Sequence, residues 1–197
     1  MEILNTKVAI IGSGPAGLLL GQLLYKAGID HILIEQRSAE YVASRIRAGI
    51  LEQVSVDLLA EAGVDAQLRE KGLPHNGIEI LTNGEKHRVD LTQLTGGKQV
   101  TVYGQTEVTK DLMQARTEAQ LMSFYEASNV QVHEFYGEQP SVKFEDEGRQ
   151  VTVQCDFIAG CDGYMVYAVQ VFLKIKSRPL KKCTHLAGWV YLQMYHQ

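Results

Sequence analysis

The stretch that most restricts this chain is Gly12-Ser13-Gly14-Pro15-Ala16-Gly17, because three glycines at this spacing turn the backbone sharply from a strand into a helix. Before it, Lys7 to Ile11 is a short, β-branched apolar run that stops at glycine, as a strand buried on both faces does. After it, Leu18, Leu19, Leu20, Leu23 and Leu24 keep helical spacing between Ala16 and Ala27, with Pro15 in the tolerant first turn and Gly28 as C-cap. Ile32-Leu33-Ile34 then forms a second strand that closes on the acidic Glu35. Strand, glycine turn, helix, strand and carboxylate together make a βαβ dinucleotide unit. Gly12 makes the bend, Gly14 lets the backbone approach a pyrophosphate, Gly17 lets the helix pack on the sheet, and the helix N-terminus faces the anion. Glu35 lies roughly 20 residues beyond the loop, where a carboxylate bonds ribose hydroxyls. Its charge opposes a 2′-phosphate, so the unit suits FAD or NAD rather than NADP.

The remaining pattern asks for more than a plain βαβ repeat. Ile50 to Ala62 reads as an amphipathic helix ended by Gly63, and Gly77 to Leu81 pairs with Lys86 to Leu91 across Asn83-Gly84, a strong hairpin signal. Gln99 to Tyr103 is a strand and Thr106 to about Gln120 a helix. Val130 to Ile158 alternates like two or three antiparallel strands with a turn near Asp146-Glu147-Gly148. The fold class that follows is α/β: a Rossmann-like, FAD-binding βαβ unit with an added antiparallel sheet, to which 76–94 and 130–158 contribute.

A hydrophobic content of 45%, a charged content of 21% and a formal charge of -4 are those of a globular chain, not of a disordered or nucleic-acid-binding one. The start, MEILNTKVAI, carries one lysine and no long apolar run, so neither a signal peptide nor a membrane span is expected, and the cytoplasm is the expected location. Cys155, Cys161 and Cys183 are odd in number and lack C-x-x-C spacing, the pattern of reduced thiols. The histidines His31, His75, His87, His133, His185 and His196 show no metal-ligand spacing, and no nucleophile constellation stands out, so no metal and no catalytic side chain is assigned.

Four runs, VAIIGSGPAGLLLGQLL, RIRAGILEQ, GGKQVTVYGQTEVTKDLM and DFIAGCDG, resemble in order and spacing the flavoprotein aromatic hydroxylases of the 4-hydroxybenzoate 3-monooxygenase family, from about Lys7 to Tyr164. The RIRAG and VYGQTEV runs are far more specific than the glycine loop. The resemblance implies hydroxylation of 4-hydroxybenzoate to protocatechuate with FAD, NADPH and O2, in full-length members that are homodimers. It implies that Glu35 is the ribose-binding acid, that Arg45, Ile46, Arg47, Ala48, Gly49 and Ile50 line FAD, and that Gln105 touches the flavin. It further implies that Arg47 serves the FAD phosphates and NADPH, Arg45 and Tyr41 serve NADPH, and Asp162-Gly163 serves both cofactors. At Gln36-Arg37 the family commonly has Arg then Gln, so no NADPH contact carries over to that pair. FAD supplies the oxygen chemistry, which leaves the protein to provide position, a dry pocket and phenol deprotonation.

Beyond Tyr164 the resemblance stops, and Lys174 to Lys182 forms a basic run. The genetic code offers a reason. Joining the third base of each codon to the first two of the next forces glycine at Met165-Val166 and again at Trp189-Val190. Around these the shifted frame permits H-G-V, S-I-P-E and F-E-K-V-Y-P-F-G-W-L-G, which look like the family's own continuation. The expectation is an FAD-binding domain over 1–164 and an aberrant, frameshifted tail over 165–197. The resemblance implies that such a truncated chain lacks most of the aromatic-substrate pocket. Two other readings remain open from the residues: a non-catalytic FAD-binding remnant whose tail exposes Val171, Phe172, Trp189 and Tyr191, and an NAD-linked reductase.

Overall fold

The computed structural model describes residues 2–46, 48–135, 137 and 139–163, together with the backbone of two short strands, 182–183 and 190–192. In chain order β1 is Glu2–Ile11, α1 Pro15–Lys26, β2 His31–Ile34, α2 Ala39–Ser44, β3 Ile50–Glu52, α3 Gln53–Glu61, α4 Ala66–Lys71 and β4 Leu73–His75. Then come β5 Gly77–Thr82, β6 Glu85–Asp90, α5 Leu91–Thr95, β7 Val100–Val102, α6 Gln105–Glu118, β8 Ser123–Phe124, β9 Ser128–His133, β10 Ser141–Asp146, β11 Arg149–Gly160, β12 Lys182–Cys183 and β13 Val190–Leu192.

The expected βαβ unit is present. β1 and β2 run parallel, with Val8 opposite His31 and Ile11 opposite Ile34, and α1 crosses between them. Successive residues of β1 serve opposite faces of the sheet. Ala9 and Ile11 join Ile32, Ile34, Val142, Phe144, Val151 and Val153 in one core, while Val8 and Ile10 pack with Ala159 and Cys161 on the other side. Leu33, one step out of phase with Ile32 and Ile34, joins Leu18 and Leu19 of α1 and Val108 and Leu112 of α6. Burial on both faces is why these strands are apolar without alternation.

Several boundaries differ from the sequence expectation, each for a tertiary reason. β1 begins at Glu2 because β11 runs parallel beside it over its length, Glu2 opposite Val151 through Ile11 opposite Gly160. Ile50 to Glu52 is a strand rather than the first turn of a helix, since it pairs antiparallel with β7, which β4 flanks on its other side. The Val130 to Ile158 stretch does not form a separate antiparallel sheet. β9 pairs with β10 and β10 with β11, so they extend the main sheet, and Phe144 packs edge-on to Phe124 with ring centroids 5.0 Å apart. The β5–β6 hairpin is present, turning at Asn83 and Gly84 with both φ positive. It stands apart from the main sheet with Ile78, Ile80 and Leu81 exposed.

The expected aberrant tail lies outside the described residues except for the backbone of β12 and β13, the latter pairing with the end of β11. The exposure expected of Val171, Phe172, Trp189 and Tyr191 also lies outside them. Among the described residues no helix is long and apolar enough to cross a membrane, and no three His, Cys, Asp or Glu side chains gather as a metal site. Cys155 and Cys161 are buried free thiols.

Candidate dinucleotide site

The site grows from the end of β1. Gly12 N–H donates to Ile34 O at 2.8 Å and Cys161 N–H to Ile11 O at 2.7 Å, so the glycine turn starts where β1, β2 and β11 end together. Gly12 has φ +103°, and a Cβ there would lie 2.5 Å from Cys161 O and 2.8 Å from Asp162 Cα. Both its conformation and the approach of the 161–162 backbone therefore require glycine. At Gly17 a Cβ would sit 2.0 Å from Gly12 O, which is the close approach of helix to strand expected of this position. Gly14 differs: a Cβ there would meet nothing within 4 Å. The space over this glycine is open.

That space adjoins a helix N-terminus with nothing on it. α1 has Gly14 as N-cap, no side-chain capping bond, proline at its start and no acidic residue in its first turn. Unsatisfied N–H groups and the positive end of the helix dipole, about half a unit charge, are thus presented to an anion.

Glu35 is buried at the end of β2, and its carboxylate is held by three donors. Oε2 accepts from Ser13 N–H at 2.8 Å and from Ser13 Oγ at 3.1 Å, while Oε1 accepts from Arg37 N–H at 2.8 Å. The adjoining backbone is pinned to the strand beyond, Glu35 N–H donating to Phe124 O at 2.8 Å and Ala127 N–H to Glu35 O at 2.9 Å.

From Arg37 the site continues outward. The Tyr41 ring lies 5.4 Å from the Arg37 guanidinium and 5.9 Å from that of Arg45, a paired cation–π contact on the half-exposed start of α2. Ser38 caps that helix by accepting from Tyr41 N–H. Ile46 and Ile50 are exposed, and Gly49 rests on the start of α6: Tyr103 N–H donates to Gly49 O at 2.8 Å, and a Cβ on Gly49 would lie 3.1 Å from Gly104 Cα. Gln105 opens α6 at this contact. Tyr103 anchors the junction by donating to Asp111 at 2.7 Å; burial and that carboxylate push its phenol well above the usual range.

The structure thus brings Gly12–Gly17, Glu35 and Asp162-Gly163 to one loop cluster. It links Tyr41 and Arg45 to that cluster through Arg37, and sets 48–50 against Gln105. Arg47 lies outside the described residues. Sequence reasoning missed the Ser13 bonds to Glu35, the Arg37 stacking and the buried Arg116. Arg116 donates to His31 Nε2 at 2.7 Å, to Ser123 Oγ at 2.5 Å and to the Met122 carbonyl. The glycine spacing marks the loop in sequence but not the Ser13 bonds to Glu35, and nothing local distinguishes Arg116 from a surface arginine. Open space at Gly14, a bare helix N-terminus and a preset carboxylate fit the pyrophosphate and ribose of an ADP moiety.

Comparison with known proteins agrees. The p-hydroxybenzoate hydroxylase of Acinetobacter baylyi is 74% identical over 164 residues, 83% of this chain and 40% of that protein. The phenol 2-monooxygenase of a Pseudomonas species is 34% identical over 74 residues, 38% of this chain and 12% of that protein. The chain therefore spans about two fifths of the length of the first of these and less of the second. Among solved structures, p-nitrophenol 4-monooxygenase PnpA from Pseudomonas putida superposes with a TM-score of 0.70 at 18% identity, covering 85% of this chain and 43% of that one. The flavin-dependent monooxygenase PieE, solved with FAD and substrate, gives 0.68 at 19%, covering 91% and 33%. These two show the fold. The family described as FAD binding domain matches residues 5–178, and the chain belongs to that family.

Proposed function

We propose that this chain is the FAD-binding portion of a cytoplasmic, homodimeric aromatic hydroxylase that converts 4-hydroxybenzoate to protocatechuate with NADPH and O2. The observation that carries the reading is the 74% identity to a p-hydroxybenzoate hydroxylase, joined to a glycine loop and carboxylate arranged for an ADP moiety. In this proposal Gly12, Ser13, Gly14, Pro15, Ala16 and Gly17 hold the pyrophosphate at the N-terminus of α1, and Glu35 accepts from the ribose. Arg45 to Ile50 and Gln105 flank the flavin, Asp162-Gly163 closes the site beside Gly12, and Tyr41, Arg45 and Arg47 receive NADPH. When bound, FAD supplies electron transfer from NADPH and oxygen activation. The chain's own residues bind and orient it.

The tail belongs to the same proposal. One base lost at the codons for Tyr164 and Met165 turns the family's continuation into residues 165–197. The 164 residues aligned with the Acinetobacter protein leave 33 of 197 unaligned, the number in that stretch. On this reading the 197-residue chain binds FAD weakly at best and does not hydroxylate, whereas the frame-restored product binds FAD fully and hydroxylates. The experiment is to sequence the coding DNA, express both forms and follow NADPH oxidation with and without 4-hydroxybenzoate. Stimulated oxidation by the restored form alone is expected. Its absence there would refute the substrate, and a shifted frame that ends at once would refute the frameshift.

A further inference from the structure

Tyr103 ties two separate segments of the candidate site together. Its N–H donates to Gly49 O at 2.8 Å, extending the ladder in which Ile50 lies opposite Val102. Its hydroxyl donates to the Asp111 carboxylate at 2.7 Å, a point roughly 9 Å along α6 from Gln105 at about 1.5 Å per residue. Between these two bonds lies the bend at Gly104, where the chain leaves β7 with φ -55° and ψ 130° and enters the helix at Gln105. The backbone there is close-packed as well: a Cβ on Gly49 would lie 3.1 Å from Gly104 Cα and 3.4 Å from Tyr103 O. The Tyr103 ring is 5% exposed and shares one core with Leu51 of β3 and with Val108 and Leu112 of α6. A phenylalanine would bury the same ring. What the oxygen adds is a bond to a carboxylate, and with it a direction for the helix.

We propose that Tyr103 and Asp111 are positioning residues for the flavin end of the cofactor: their bond sets the angle at which α6 leaves β7, and so the spacing between Gln105 and the 48–50 segment. This rests on the reading that those residues flank the flavin. Neither Tyr103 nor Asp111 touches the cofactor in this scheme; both act through Gln105 and Gly49-Ile50. The spacing is set before FAD arrives, so the ordering of these two segments is not subtracted from the binding free energy. The ADP end is held by other partners, Gly12 N–H on Ile34 O and Cys161 N–H on Ile11 O. It therefore serves as an internal control.

The test uses the full 197-residue chain, with FAD and ADP as separate probes in equilibrium dialysis and urea unfolding as the folding control. The unaltered chain is expected to bind FAD more tightly than ADP. Tyr103→Phe, which removes only an oxygen, should weaken FAD binding by about tenfold, the lower end of the scale of one hydrogen bond to a charged group, while ADP binding stays as it was. Asp111→Leu should reproduce this FAD-specific loss, and it carries the test if Tyr103→Phe does not fold. Asp111→Asn keeps an acceptor for the phenol and should retain most of the FAD affinity. The double variant of Tyr103→Phe with Asp111→Leu should lose no more than either change alone, because both remove the same bond. A merely structural role would lower the urea midpoint and weaken both probes alike, so equal loss of FAD and ADP would overturn the proposal, as would unchanged FAD binding in either folded variant. An unaltered chain that binds FAD no more tightly than ADP would instead remove the flavin reading of 48–50 and Gln105, and the positioning role with it.

Discussion

Arg116→Met removes a buried guanidinium that ties three elements together, and its cost can be worked from the structure. The side chain is 4% exposed. It reaches from α6 to His31 of β2, to Ser123 of β8 and to the Met122 carbonyl. Hydrogen bonds from a charged donor contribute about 1.5–3 kcal/mol each, so losing three costs roughly 4–9 kcal/mol. Against this, burial holds the Arg116 pKa down to about 10. At about 1.4 kcal/mol per pKa unit, removing the buried cation returns roughly 3 kcal/mol. Methionine fills most of the remaining volume. The net loss should be about 3 kcal/mol, within the usual range for breaking a buried charged contact, and should lower Tm by roughly 6–12 °C for a domain of this size. Urea and thermal unfolding of Arg116→Met, His31→Leu and the double variant measure it. The two changes should be non-additive by about 1 kcal/mol or more, because they share one hydrogen bond. A loss below about 1 kcal/mol, or additivity within about 0.5 kcal/mol, would refute the reasoning.

Three further outcomes are expected. His31 accepts from Arg116 at Nε2, which places its proton on Nδ1, 3.1 Å from Ile29 O; burial first, and Arg116 second, hold its pKa below 6.5. The unfolded chain therefore takes up this proton first, so the contribution is complete above pH 6.5 and drains away as pH falls below it. Urea midpoints at pH 7.5 and 5.5 should differ less in His31→Gln than in the unaltered chain, and equal differences would exclude His31 as a source. Gly17→Ala places a methyl group 2.0 Å from a backbone oxygen, so flavin uptake, read by fluorescence quenching, should be abolished; ordinary ADP affinity in this variant would contradict the loop geometry. Burial pushes the Cys155 thiol up to about 11 and that of Cys161 up to about 12. Both should resist iodoacetamide at pH 7.5 until urea is added, and peptide mass spectrometry showing native labelling would count against their burial.

What the sequence by itself determined is the part governed by local rules. The glycine loop, α1, β2 ending at Glu35 and the Asn83-Gly84 turn were all readable, because backbone conformation at glycine and the period of apolar residues are written within a few positions of each other. The RIRAG and VYGQTEV runs added the flavin context by resemblance. What only the tertiary structure decided is which distant pieces meet. β3, β4 and β8 are two or three residues long, too short to carry a period, and exist because a neighbouring strand supplies their hydrogen bonds. β11 lies parallel to β1 although its own sequence reads as part of an antiparallel set, since β10 takes one edge and β1 the other. The Ser13–Glu35 bonds span 22 positions and the Arg116–His31 bond 85. A side chain's partner is chosen by the space it is folded into, and at those separations no local pattern records it.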